Sequence, residues 1–196
     1  SRMLDASFGA GWRFPVGGLS SITPMLGIAR QESELRSRQG RQVLWDIDQA
    51  RRVGIAGSVP LGEFAGLDSS YQPVWESVWV GLDGEFRPSE RPSLRGGVKQ
   101  HWFRYQAEAD WNLRDDLAHP VSFRHQGDGT GWQAEVAADW LVVPGHKLTV
   151  NLSGGNSTLH DGRDTTYFRN GRSVELRLNE VISDTWSARL GYQIDY

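Results

Sequence analysis

Five histidines, His101, His119, His125, His146 and His160, set the outer bounds of the acid–base chemistry this chain can carry. His160 stands beside Asp161 and close to Asp164. An imidazole among carboxylates can polarise a water by general base catalysis. Asp115, Asp116 and His119 form a similar group in a turn. For both groups the competing reading is a solvated polar loop. His101 and His125 share the parity of apolar positions, where a lipid hydrolase would hold a base within reach of a nucleophile; an interfacial histidine near a strand end reads the same way. There is no HExxH, no GxSxG and no phosphate loop, and the glycine-rich stretch 127–131 (GDGTG) precedes no helix. The chain has no cysteine, which excludes disulfides and thiolate metal sites. No cofactor and no metal is expected. An enzyme is not the foremost expectation.

The elements that would position these groups are strands. Residues 4–14 put Leu4, Ala6, Phe8, Ala10, Trp12 and Phe14 on one face; residues 103–113 put Phe103, Tyr105, Ala107, Ala109, Trp111 and Leu113 on one face, against Arg104, Glu108 and Asp110. Residues 132–142 alternate in the same way, with Trp132, Val136 and Trp140 against Glu135 and Asp139. Further alternation runs through 20–36, 43–59, 74–86, 148–152 and 174–178, with Pro24 implying an irregularity. Residues 60–73 read as a mixed stretch able to hide a short strand. Residues 127–131 read as a glycine-rich break and 154–172 as a long polar loop. No segment carries a helical period, no linker divides the 196 residues, and no apolar run approaches the roughly 20 residues of a membrane helix. The expectation is all-β: one antiparallel barrel domain over residues 1–196, of about 8–10 strands. Net charge is −3, which gives no electrostatic case for nucleic acid.

Alternation gives each strand two faces but does not say which is inside. A soluble sandwich or barrel turns the apolar set inward; a membrane barrel turns it toward lipid. Nine tryptophans in a chain rich in polar residues suit a boundary better than a core. Trp12, Trp111, Trp132, Trp140, Trp186 and Tyr196 fall near the ends of apolar faces, the pattern of an aromatic girdle. Small alanines between them would leave voids in a close-packed core. The apolar face is therefore expected outward. Arg104, Glu108, Asp110, Glu135, Asp139, Glu175, Arg177, Arg189 and Asp195 are expected inward, as a lumen charge network. Such a network would plug a small barrel with salt bridges or line a narrow pore, with the plug favoured on barrel size.

The last twelve residues, TWSARLGYQIDY, alternate without a break and end on Tyr196. With Ile194, Tyr192, Leu190 and Ala188 at alternating positions, Gly191 and the upstream Arg189, this tail resembles the C-terminal assembly signal of Gram-negative outer-membrane β-barrel proteins. The resemblance implies an exported protein of the bacterial outer membrane, inserted by the barrel-assembly machinery, with outer-membrane lipid and lipopolysaccharide as partners. No leading segment reads as a signal peptide, so the chain reads as mature or cytoplasmic. The function expected first is structural, surface-interacting or porin-like as a narrow pore. The alternatives are an outer-membrane hydrolase acting on lipid or peptide, and a soluble β-barrel or sandwich that binds a ligand. Counting strands back from the tail leaves the parity of the barrel unsettled.

Overall fold

A computed structural model describes residues 2–43, 48, 52, 61–89 and 91–194. Most of the 43–59 alternation, together with Asp195 and Tyr196, lies outside the described residues. The elements are β1 (Arg2–Gly11), β2 (Phe14–Val16), β3 (Ser20–Arg38), β4 (Arg41–Gln42), β5 (Gly62–Glu63), β6 (Asp68–Phe86), β7 (Pro92–Asp110), β8 (Phe123–Val143), β9 (His146–Tyr167) and β10 (Ser173–Ile194). One antiparallel sheet runs β1-β3-β6-β7-β8-β9-β10, and β2 continues the line of β1 along β3. The break between β1 and β2 falls opposite Pro24, whose carbonyl accepts from the Trp12 amide but which has no N–H to return. Among the described residues no ladder joins β1 to β10, so the sheet is open.

The strands are long because they do not end where the apolar positions end. β3, β6 and β7 have 19 residues, β8 has 21, and β9 and β10 have 22. At about 3.3 Å per residue they extend roughly 60–70 Å, and a tilt of about 40° still leaves some 50 Å of height. The hydrocarbon core needs about 30 Å. Stretches 127–131 and 154–167, expected as a break and a loop, are instead the upper parts of β8 and β9. Polar residues on the outer side and mostly glycine, serine and other small ones on the inner side, Leu159 apart, erase the apolar alternation there without stopping the ladder. The stretch 60–73 holds the short β5 and the start of β6.

Tight connections lie at one end of the sheet: 17–19, 87–91 and Pro144-Gly145. Longer ones lie at the other: 39–67 with the β4–β5 hairpin, 111–122, and 168–172. The loop 111–122 is folded rather than slack. Leu117 and Ser122 are buried; the Ser122 hydroxyl donates to the Ala118 carbonyl at 3.0 Å and accepts from the Trp111 amide at 3.0 Å. The Ala118 amide reaches Tyr167 on the neighbouring hairpin at 2.9 Å.

Which face is inner follows from burial. In a single-layer sheet a side chain is buried only where the sheet curls over it. Trp79, Phe103, Tyr105, Ala107, Ala137 and Leu159 are buried and share one face. The opposite face, toward the tight turns, is apolar and uncovered: Leu26 and Ile28 on β3, Val78, Val80 and Leu82 on β6, Trp132, Val136 and Trp140 on β8, and Trp186, Leu190 and Tyr192 on β10 are all exposed. The apolar run begins at Ile28, Val78 and Trp102 on β3, β6 and β7, at Trp132 on β8 and only at Leu152 on β9, so across these strands the band steps down diagonally, while on β10 Ile182 and Trp186 flank Asp184. That slant is what tilted barrel strands require of a level membrane.

A charge at the centre of this band has no water to reach. Leu82→Arg should destabilise the folded protein by about 2–4 kcal/mol, while Gln72→Arg, on the same face of the same strand but above the band, should change it by less than about 0.5 kcal/mol. Urea unfolding in lipid vesicles, followed by tryptophan fluorescence, measures both.

Candidate functional site

β7 and β8 keep one parity along their length, yet what each face carries changes part-way up. On β7 the outward side is Leu94, Val98 and Trp102 in its lower half, then Arg104, Gln106 and Glu108. The inward side of the same strand is Arg95, Lys99 and His101, then Phe103, Tyr105, Ala107 and Ala109. β8 repeats the change: outward Trp140, Val136 and Trp132 give way to Thr130, Asp128, Gln126 and Arg124.

The change is marked on the outer surface by cross-strand partners of alternating charge. Arg30 on β3 faces Glu76 on β6, Glu76 faces Arg104 on β7, and Arg104 faces Asp128 on β8. Arg30 is ion-paired with Glu76, and Arg104 with Asp128 at 3.8 Å. His160 on β9 and Glu180 on β10 continue the row. Opposite charges directly across a ladder are mutually favourable, and on the middle strands they sit one step above the last apolar residue.

The inner wall has two storeys. The lower one is polar: small on β9 and β10, with Ser153, Asn151, Thr149, Ser187 and Thr185, and charged on β7 and β8, with Arg95, Lys99, Glu135 and Asp139. Its charges are partly paired: Arg95 to Asp139 at 2.8 Å and Arg13 to Glu85 at 2.7 Å. The upper storey is aromatic. Trp75 packs against Phe103 and Tyr105 with ring centres 4.8 and 4.4 Å apart, and Leu159, Leu178 and Val181 adjoin them. The Phe103 ring here and the Trp79 indole below it lie along the wall. A Cβ placed on Gly129 would sit 2.4 Å from the Phe103 ring, and one on Gly9 or Gly27 would sit 2.5 or 2.4 Å from the Trp79 indole. Only glycine lets the neighbouring strand accept a ring lying flat on it.

A polar line crosses the upper storey. Tyr105 and Tyr71 share a hydroxyl–hydroxyl hydrogen bond, the Tyr71 hydroxyl lies 3.1 Å from His125 Nδ1, and His125 Nε2 lies 3.5 Å from Asp164 Oδ1. Burial pushes the Tyr105 phenol far above its ordinary range, and the bond to Tyr71 adds to the rise. Burial likewise raises Tyr71, against the lowering effect of that bond. Both groups are therefore neutral phenols at physiological pH. A carboxylate on one imidazole nitrogen and a phenol on the other orient His125 and allow it to accept or pass on a proton.

Over residues 1–194 the chain matches the family described as Pom: Protochlamydia outer membrane protein. The chain belongs to this family. No curated protein matches it. Among solved structures, the Pom-family chain is similar to the crystal structure of the outer membrane protease OmpT from Escherichia coli, with a TM-score of 0.69 and 16% identity. The match covers 99% of this chain and 64% of OmpT, and at that identity it shows the fold alone. The Pom-family chain is a β-barrel protein of the bacterial outer membrane. The uncovered apolar band and the family together set aside the soluble alternative.

The sites expected from sequence are divided by this geometry. Glu135, Asp139 and Arg189 lie on the inner wall. Arg104, Glu108, Asp110, Glu175 and Arg177 do not; they lie on the outer face or at its upper end, above the band. There Glu108 pairs with Arg124 at 2.6 Å, Arg177 with Asp161 at 2.5 Å, Glu175 with Arg163 at 3.8 Å, and Asp110 with His119 at 2.5 Å. The physical reason is the change of surroundings: outside hydrocarbon the outward side is the wet one. Trp132, Trp140, Trp186 and Trp12 are on the band side and exposed. Trp111 is in the far loop against Phe123, with ring centres 4.9 Å apart, and not at the band. His160 and Asp161 are on the outer face while Asp164 is on the inner, so that cluster is taken apart by the bulge at Asp161, where φ is +55°. The partner Asp164 acquires is His125, which strand register alone reveals.

Because Tyr105 and Tyr71 are raised, their stabilising effect is complete below the ordinary phenol range near pH 10. It is lost as pH climbs above that value, where the unfolded chain ionises first. Alkaline absorbance titration of the folded protein should leave Tyr105 protonated well beyond the ordinary phenol range, and Tyr105→Phe should remove one late-ionising tyrosine. Ionisation of every tyrosine near pH 10 would contradict the buried line.

Proposed function

We propose that this outer-membrane β-barrel protein forms a water-filled path for small hydrophilic solutes, narrowest at the level of Trp75, Phe103 and Tyr105. The observation that carries this reading is the way the large inner side chains lie on glycines of the adjacent strand. A plugged barrel fills its lumen with side chains directed across it. Here Trp79 and Phe103 are spread against the wall, and the storey within the bilayer is polar, with serine, threonine and asparagine on β9 and β10 facing charged residues such as Arg95, Glu135 and Asp139 that are partly paired along the wall. The lumen charges that sequence assigned to a plug are in part outside, which removes Arg104, Glu108, Glu175 and Arg177 from any obstruction.

Planar-bilayer conductance of the purified full-length protein tests this. Wild type should show discrete steps. Gly129→Leu, which forces the Phe103 ring off the wall, should lower single-channel conductance by roughly half or more, the narrowest section setting the resistance. Absence of steps from folded, heat-modifiable protein would overturn the pore.

A second reading, a hydrolase, has one specific observation in its favour. His125 and Asp164 form an imidazole–carboxylate pair facing the lumen above the band, and the structurally similar OmpT is a protease. Asp164→Asn and His125→Ala should then abolish cleavage of a peptide library by the full-length protein. If wild type cleaves nothing, or if both variants cleave as it does, this reading falls while the pore stands.

A further inference from the structure

Each neighbouring pair in the sheet is antiparallel, from β1–β3 through β9–β10. Direction therefore alternates along the order β1-β3-β6-β7-β8-β9-β10, and the two edge strands run the same way. Arg2 begins β1 beside Glu34 at the polar end, and Gly11 finishes it beside Met25. Ser173 begins β10 beside Tyr167 at the polar end, and Ile194 finishes it beside His146 near the tight turns. Both edges descend from the polar end toward the apolar band.

Neither edge can stay open in a bilayer, because hydrocarbon offers no partner to a row of amides and carbonyls. Pairing β1 directly with β10 would join them in parallel. A second copy inserted in the same orientation offers edges that descend as well, so every pairing between copies is parallel too. Bacterial single-chain barrels close with antiparallel neighbours and an even strand number.

We infer that the wall is completed between β10 and β1 by an odd number of additional strands, beginning and ending with one that rises from the tight-turn end, supplied by further length of the same polypeptide. This rests on the barrel reading of the fold. The likeness to OmpT supports a single-chain source: nearly all of this chain is accounted for within 64% of that one. The neighbouring edges also constrain the sequence of the missing strand. Beside β10, whose outward side is Trp186, Ala188, Leu190, Tyr192 and Ile194, it must alternate with apolar residues outward in its first half. Its second half must turn polar outward, as β7 does after Trp102.

The absence of native cysteine makes the test clean. In the full-length protein inserted in the outer membrane, Leu152→Cys with Ala188→Cys, outer-face partners on β9 and β10, is the positive control. Phe8→Cys is combined in turn with Ile182→Cys, Trp186→Cys and Leu190→Cys, which scans any stagger between the edges. Hydrogen exchange is measured on the same protein. The control pair should cross-link, the β1–β10 pairs should not, and amides along β10 should exchange about 100-fold or more slower than those of an uncovered edge. An intramolecular β1–β10 cross-link shows closure on the chain's own edges and overturns the inference. A cross-link between copies overturns it in favour of a dimer, and fast exchange along β10 shows an edge that nothing covers. Failure of the control pair itself contradicts the barrel fold, not the closure.

Discussion

Hydrocarbon leaves a polypeptide one way to cross it with strands. Every backbone donor and acceptor must be met by a neighbour, and only every second side chain may face the lipid. The sheet described here is organised by that pair of demands. The strands run 19–22 residues, far beyond what the bilayer needs; among the described residues the wall is interrupted at the edge, opposite Pro24, and bulged where β8 meets β9. The cross-strand register then fixes which side chains share a level, and through that the apolar band, the charge row above it and the aromatic storey inside.

The consequence is a wall with one backbone geometry and two chemical settings. Inside the bilayer the outward side is Leu, Val and Trp and the inward side is polar, small on β9 and β10 and charged on β7 and β8. Above it the outward side carries Arg, Glu and Asp, and the inward side takes up the aromatic mass, because a cavity wall away from lipid is where rings can be shielded. The row Arg30, Glu76, Arg104, Asp128 lies at the junction on the middle strands. Its members are about half exposed or more, and exposed ion pairs contribute on the order of 0–1 kcal/mol each. The row is therefore a depth marker more than a source of stability: charges that cannot enter hydrocarbon set how far the barrel sinks.

Much of this was legible in the chain before any coordinates. In the 132–142 segment Trp132, Val136 and Trp140 stand on the exposed face and Glu135 and Asp139 on the opposite one, the arrangement that apolar-out gives within a bilayer. The 103–113 segment alternates just as cleanly and yet is turned the other way. Period two says that Phe103 and Arg104 face apart; it does not say which of them meets lipid, and that answer depends on height. The same ambiguity made polar, glycine-containing stretches of β8 and β9 read as a break and a loop. The His125–Asp164 pair was out of reach for a different reason. It is made by register across two strands, and no spacing within either segment encodes it, while the adjacent triple His160, Asp161, Asp164 is separated by a bulge that flips one member to the other face.

The central claim is that hydrocarbon meets the outward side of each strand only below the charge row. Single nitroxides attached through introduced cysteines at the outward β7 positions Val98, Trp102, Gln106 and Glu108 read this directly, by comparing relaxation from oxygen, which partitions into lipid, with relaxation from a water-soluble nickel chelate. Oxygen should dominate at Val98 and Trp102 and the chelate at Gln106 and Glu108, with the crossover at Arg104. A profile that stays lipid-like through Glu108, or water-like from Val98 upward, would contradict the account.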